Sequence, residues 1–101
     1  MKLLRVSRSP KKDKKLVAVF ETASGGKKTV HFGAKSYGDY TIYRRKDKEL
    51  AEQKRKQYIA RHRSSENWRS PTTPGALSRY ILWEKPTVKS AVAAYKKRFG
   101  I

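Results

Sequence analysis

The sequence predicts an α+β fold: an N-terminal three-stranded antiparallel β-meander followed by three α-helices packed on one face. Three observations predict it. Residues 1–33 hold β-branched and aromatic runs bounded by Gly, Pro and Ser, and from residue 47 the hydrophobic period becomes helical. The chain has 101 residues, the length of one ordinary domain. We therefore read residues 1–101 as a single small basic domain, with the meander at 1–33, a connector at 34–46 and the helical part at 47–100.

The first strand begins with Leu3, Leu4 and Val6 and ends at Ser9-Pro10. The second is the run Leu16-Val17-Ala18-Val19-Phe20, closed by Ser24-Gly25-Gly26, which supplies the positive φ angles of a hairpin turn. The third is Thr29-Val30-His31-Phe32, stopped by Gly33. Lys11, Lys12, Asp13, Lys14 and Lys15 form an exposed loop between the first two strands. Asp47 can cap a helix through Leu50, Ala51, Tyr58 and Ile59 to about Arg63, followed by a loop over 64–73 in which Trp68 is expected to tuck against the body. Thr73-Pro74 starts a second helix, with Thr as N-cap and Pro in the first turn, carrying Leu77, Tyr80 and Ile81. Pro86-Thr87 ends it and caps a third, in which Val88, Ala91, Val92, Tyr95 and Phe99 make a clean amphipathic stripe. Lys96, Lys97 and Arg98 suit that helix's last turn, and Gly100 is its expected C-cap. A sheet cannot bury one apolar face alone, so the helices must cover it.

Composition removes several classes. With no Cys there is no disulfide framework, thiolate nucleophile or cysteine-ligated zinc. No run approaches the roughly 20 apolar residues of a membrane helix, so no membrane insertion is expected, and Met1 to Val6 is too short and charged for a signal peptide. The 26 Lys plus Arg against 8 Asp plus Glu leave a net charge of +18. On a body about 13 Å in radius of gyration, these charges repel one another, and an abundant polyanion relieves the repulsion. Nucleic acid leads, DNA ahead of RNA, because each neutralised phosphate releases a condensed counterion. The blander reading, a merely solvated surface, expects a net charge of about 2–8 with both signs interspersed.

Catalytic chemistry finds little support. His31 sits between Val30 and Phe32 in a strand pattern and reads as a half-buried or solvent-facing strand residue. His62 has no nucleophile or orienting carboxylate beside it in sequence. Of the carboxylates, only Asp39 with Glu49 or Glu52 could converge on a magnesium ion. There is no P-loop, GxGxxG, H-E-x-x-H or G-x-S-x-G pattern. The expectation is a non-enzymatic protein with no cofactor, no metal and no small-molecule substrate.

Basic clusters carry the binding expectation. They are Lys11, Lys12, Lys14 and Lys15; then Arg44, Arg45 and Lys46; then Lys54 and Arg55, extended by Arg61, Arg63 and Arg69. Phosphate contacts of this kind position a nucleic acid without reading its sequence. Tyr37, Tyr40, Tyr43 and Tyr58 could stack on bases, although amphipathic rings lining the sheet–helix junction are the stronger reading.

From Tyr37 to Phe99 the chain carries a string: Tyr37-Gly38-Asp39-Tyr40-Thr41, Tyr58-Ile59-Ala60-Arg61-His62, Trp68, Thr73-Pro74-Gly75-Ala76-Leu77-Ser78-Arg79-Tyr80-Ile81-Leu82-Trp83, Lys85-Pro86-Thr87, and Tyr95 to Gly100. It resembles a family of small basic proteins encoded by large DNA viruses of algae and amoebae. The resemblance implies a viral protein, found inside the infected host cell (nucleus or cytoplasm), in the virion, or in both, and it contributes no catalytic residue. Among the string's polar members, a buried pair of Asp39 with Arg61 or Arg79 is expected as structural glue. Two functional readings follow: a protein coating or condensing viral DNA, or a virion structural protein, a minor capsid or cement component docking on acidic capsid proteins. The first would present one broad basic face, whereas the second would expose apolar anchors beside its charge.

Overall fold

Leu3 and Val6 are three residues apart, so a regular strand would point them to opposite faces. In the computed structural model, which describes all 101 residues, strand β1 (Lys2–Arg8) solves this with a bulge. The register shifts between Leu3 and Arg5, so that Leu3 pairs with Phe20 and Val6 with Ala18. The extra residue, Leu4, restores the parity and brings Leu3 and Val6 to one face. Strands β2 (Lys14–Glu21) and β3 (Lys27–Ala34) complete an antiparallel sheet of order β1-β2-β3. The β2–β3 turn contains Gly25 at φ +88°, the positive angle expected of Ser24-Gly25-Gly26.

Ala18, Phe20, Val30 and Phe32 form the sheet's core face with Leu3. His31 points the other way and is half-buried, its Nδ1 2.7 Å from the Ser9 hydroxyl. On that opposite face Val17 and Val19 are also buried, because they lie on the middle strand between the pairs Ser7–His31 and Arg5–Thr29. Long stems such as that of Arg5 can cover apolar surface while their charge stays in water.

Four helices follow the sheet rather than three. Residues 34–46 are not wholly a connector, because Tyr40–Lys46 form α1. The cue was Asp39, whose carboxylate accepts from the Thr41 and Ile42 backbone N–H groups as N-cap. It was masked by Tyr40, Thr41, Ile42 and Tyr43, which are middling helix formers and good strand formers. Asp47 then serves both sides of a sharp joint. Its N–H donates to Tyr43 O at the end of α1, while its carboxylate accepts from Glu49 and Leu50 at the start of α2 (Lys48–His62).

Thr73 caps α3 (Pro74–Leu77), its hydroxyl accepting from Ala76 N–H. The expected single helix over this stretch changes winding, because Ser78–Leu82 continue as a π-helical turn. With i→i+5 closure, Leu77 shares a face with both Ile81 and Leu82, and all three are buried in one core. Thr87 caps α4 (Val88–Phe99) and Gly100 ends it in the left-handed conformation, both as expected. Ala91 and Tyr95 of α4 close the core over the sheet. The Tyr95 hydroxyl donates to Pro71 O and so anchors the preceding loop. Each fully buried large side chain here, Phe20, Phe32, Leu3, Leu77 and Ile81 among them, contributes about 1.5–3 kcal/mol of hydrophobic stabilisation.

Helices α1 and α2 give no residue to that core. They pack on each other and are held to the rest by a few specific contacts, which leaves the molecule elongated at 44 × 27 × 24 Å. Tyr58 of α2 stacks on Trp83, with centroids 4.6 Å apart, and Arg55 Nη1 donates to Glu84 O over 2.9 Å. Trp68 does tuck in, half-buried beside Tyr58 and within 5.6 Å of the Arg79 guanidinium. No helix is long and apolar enough to cross a membrane.

Candidate functional site

The step between the sheet core and the α1–α2 pair leaves a cavity of about 600 Å³. One wall is a face of α2: Lys54, Gln57, Tyr58 and Arg61 follow at i, i+3, i+4 and i+7, the spacing that brings helical side chains to one side. The facing wall comes from Ser78, Leu82 and Trp83 at the π-helical turn. Tyr43 of α1 and the loop residues Tyr37, Gly38 and Asp39 line it further, with Lys15 and Gly33 from the sheet.

Two glycines are required by close packing here. A Cβ on Gly33, at φ +80°, would lie 2.6 Å from Leu82 Cδ1, and one on Gly38 would lie 2.6 Å from the Tyr43 ring. Lys15 Nζ donates to Asp39 Oδ2 over 2.6 Å, with Asp39 2% exposed. This corrects the expected pairing of Asp39 with Arg61 or Arg79. The loop after β3 carries Asp39 back over the start of β2, where Lys15 meets it, while Arg79 takes Glu84 at 2.5 Å. It also corrects the placement of Lys14 and Lys15, which belong to strand β2 and not to an exposed loop.

The predicted cations separate into distinct groups. Lys15, Lys54 and Arg61 come together at the cavity. Lys54 Nζ sits 5.7 Å from the Tyr43 ring centroid, and neither Lys54 nor Arg61 has a carboxylate partner. Lys11 and Lys12 stand exposed on the β1–β2 loop, with Lys14 half-buried beside them. Arg44, Arg45 and Lys46 fill the last turn of α1, where cations suit the helix dipole. Arg63 and Arg69 are exposed beyond α2. Arg55 is committed internally: it bonds Glu52 at 2.7 Å and Glu84 O, and lies 4.3 Å over the Tyr40 ring.

Glu52 also accepts from the Tyr40 hydroxyl at 2.7 Å. That hydrogen bond and Arg55 hold its carboxyl below the usual range, while burial, aided by the Glu52 bond, raises Tyr40. Glu52 and Asp39 are thus engaged in separate networks and do not converge as the magnesium pair considered from sequence. No group of three or more His, Asp or Glu residues is placed to hold a metal ion.

The tyrosines divide as well. Tyr40 and Tyr58 are buried and Tyr43 half-buried, which fits rings lining a junction, but Tyr37 is 72% exposed. Sequence reasoning missed Gln57, Trp83 and the cavity itself; His62, read as having no carboxylate beside it, also lines the cavity, and its Nδ1 lies 3.8 Å from Glu66 Oε1. The i, i+3, i+4, i+7 spacing of α2 was the available signal, but a helix so rich in Lys and Arg showed no apolar stripe to mark which face was turned inward.

Burial pushes the Tyr58 hydroxyl up from 10.0 to about 12, with Glu66 adding to the effect. A neutral Tyr58 therefore stabilises the fold fully below pH 10. That contribution falls as pH rises towards 12, because the unfolded chain releases its proton first. Two units correspond to about 3 kcal/mol. Tyr58→Phe is expected to leave stability nearly unchanged at pH 7 and to lose less stability than wild type between pH 10 and 12. Urea denaturation at both ends of that range checks it, and equal alkaline losses would refute the assignment.

The chain belongs to a family of unknown function, DUF5754, whose model matches residues 4–62. No curated protein and no solved structure matches the chain. The match takes in the three strands, α1 and α2 and stops where α2 ends. It shares only Tyr37–His62 with the string that runs to Phe99. Most of the cavity lining lies within it, whereas Ser78, Leu82 and Trp83 lie beyond it.

Proposed function

We propose that the chain is a non-enzymatic nucleic-acid-binding protein that holds DNA through its phosphates, coating or condensing it without reading its sequence. The observation that carries this reading is uncompensated charge. Only Lys15, Arg55 and Arg79 of the 26 Lys and Arg residues lie in ion pairs with carboxylates. The others are spread over the three strands, the loops and helices α1, α2 and α4, and most of them are exposed. A basic footprint of this kind is what a phosphate backbone recognises.

The contrast with a capsid-docking role supports the same reading. A cement protein needs apolar anchors beside its charge, and the large hydrophobic residues left exposed are Met1 and Tyr37 alone. The viral setting implied by the resemblance is compatible with DNA coating and forms part of the proposal.

The test is binding to a labelled random duplex at about 50 mM salt, where non-specific phosphate binders are tight, with a short acidic peptide as competitor. Sub-micromolar binding, indifference to duplex sequence and weak competition are expected. No binding at that salt, or displacement by the peptide at equal charge concentration, would overturn the reading.

A further inference from the structure

We propose that the cavity beside α2 receives one unpaired nucleotide of a single strand, its base laid against Tyr37 and its flanking phosphates held by Lys54 and Arg61. This rests on the nucleic-acid reading above and adds a single-strand site to it.

The cavity, at about 600 Å³, lies within the roughly 300–1,000 Å³ of small-ligand sites, and so is large enough for a nucleotide. Its chemistry combines flat rings and cations. Tyr37 stands at the rim with 72% of its surface in water. No packing requirement explains an exposed ring there, whereas base stacking on an aromatic side chain uses one directly. Behind it, Tyr43 and Trp83 carry the aromatic lining inward.

Lys54 and Arg61 are seven residues apart on one helix, about 10 Å along its axis, and so flank the opening with two cations free of carboxylates. Gln57 lies between them, exposed and without a side-chain hydrogen bond in the protein. Its amide offers both a donor and an acceptor to a base edge. Of the carboxylates near the cavity, Asp39 is neutralised by Lys15 and committed to the cap of α1, and Glu66 Oε1 lies 3.8 Å from His62 Nδ1. A duplex keeps its bases paired and stacked, so it can reach the cations at the rim but cannot place a base inside.

The experiment compares a labelled thymidine strand of about 15 nucleotides, within the range of single-strand site sizes, with a random duplex of the same length at one salt concentration. Wild type, Tyr37→Ala, Tyr37→Phe and Lys89→Gln are measured on both. Tyr37→Ala truncates an exposed ring, so folding is not at stake. It is expected to weaken single-strand binding roughly 5- to 100-fold and to leave duplex binding unchanged, with Tyr37→Phe behaving as wild type. Lys89→Gln removes an exposed charge that is not part of the cavity lining and should weaken both partners equally.

If Tyr37→Ala changes neither partner, or both alike, the cavity proposal falls while duplex binding by wild type still upholds the broader reading. If wild type binds neither probe, both fall together. If it binds the strand alone, the duplex-coating reading fails and the Tyr37→Ala result still decides the cavity.

Discussion

The affinity for a random duplex is expected to fall about 10³–10⁵-fold between 50 and 200 mM salt, the loss for a protein that neutralises six to ten phosphates. The dimensions allow that number. B-DNA carries about one charge per 1.7 Å of axis, and the long axis of the protein is 44 Å. Even if only one side of the duplex is in reach, six to ten contacts need fewer than half of the cations that lack a carboxylate partner. Single substitutions then separate free cations from committed ones. Arg45→Gln or Lys12→Gln, both at exposed positions, should each lower the log–log salt slope by about 1 if that residue meets a phosphate. Arg55→Gln should leave the slope unchanged and lower stability instead, because Arg55 is held by Glu52 and Glu84 O. A slope near zero for wild type would sink phosphate neutralisation as the basis of binding. A steep slope unaffected by Arg45→Gln and Lys12→Gln would move the interface away from α1 and the β1–β2 loop.

What could be read from the sequence follows from how local each signal was. The strands were legible because Leu16 to Phe20 and Thr29 to Phe32 alternate or run apolar between Gly and Pro boundaries, and α4 because its stripe repeats over three turns. Caps were legible too, since Asp47, Thr73 and Thr87 act within three residues of themselves. Helix α1 was hidden because Tyr40 to Tyr43 favour strand over helix, although its cap, Asp39, acts as locally as the others. The π-helical turn was hidden because its reason is tertiary: Ile81 and Leu82 both face a sheet formed elsewhere in the chain. The basic clusters were visible as charge, but which cations stay free depended on long-range partners. Arg55 and Arg61 look alike in sequence, yet one is bonded to Glu52 and Glu84 and the other lines an open cavity. Tyr37 likewise could not be told from Tyr40, three residues on, until the loop after β3 turned one ring outward and the other into the α1–α2 contact.

Replacing Asp39 by Ala is expected to be the most destabilising change to the charged framework, costing about 3–5 kcal/mol in urea denaturation. Two losses add. The α1 N-cap disappears, leaving the Thr41 and Ile42 N–H groups and the Thr41 hydroxyl without their acceptor, a loss of about 1 kcal/mol. The larger part comes from Lys15, whose side chain is only 15% exposed and whose ammonium would be left without its carboxylate. Against a total stability of about 5–15 kcal/mol for a domain, the variant would be marginal at 37 °C. The two parts can be separated. Asp39→Asn keeps a good N-cap side chain but removes the negative charge, so it should retain the cap and still lose the ion pair. Adding Lys15→Met to Asp39→Asn should recover much of that loss, because removing both charges avoids leaving one of them buried alone. If Asp39→Ala costs under about 1 kcal/mol, in the range of exposed pairs, then Lys15 and Asp39 do not fasten α1 to the sheet. If the double variant is instead no better than Asp39→Asn, the cost lies in lost geometry and not in an orphaned charge. The same variants report on the cavity, since Lys15 and Asp39 line it between β2 and the first turn of α1. A double variant that folds normally but loses single-strand binding would show that the pair also serves the cavity, through the charge of Lys15 or through the position of Tyr37, two residues before Asp39.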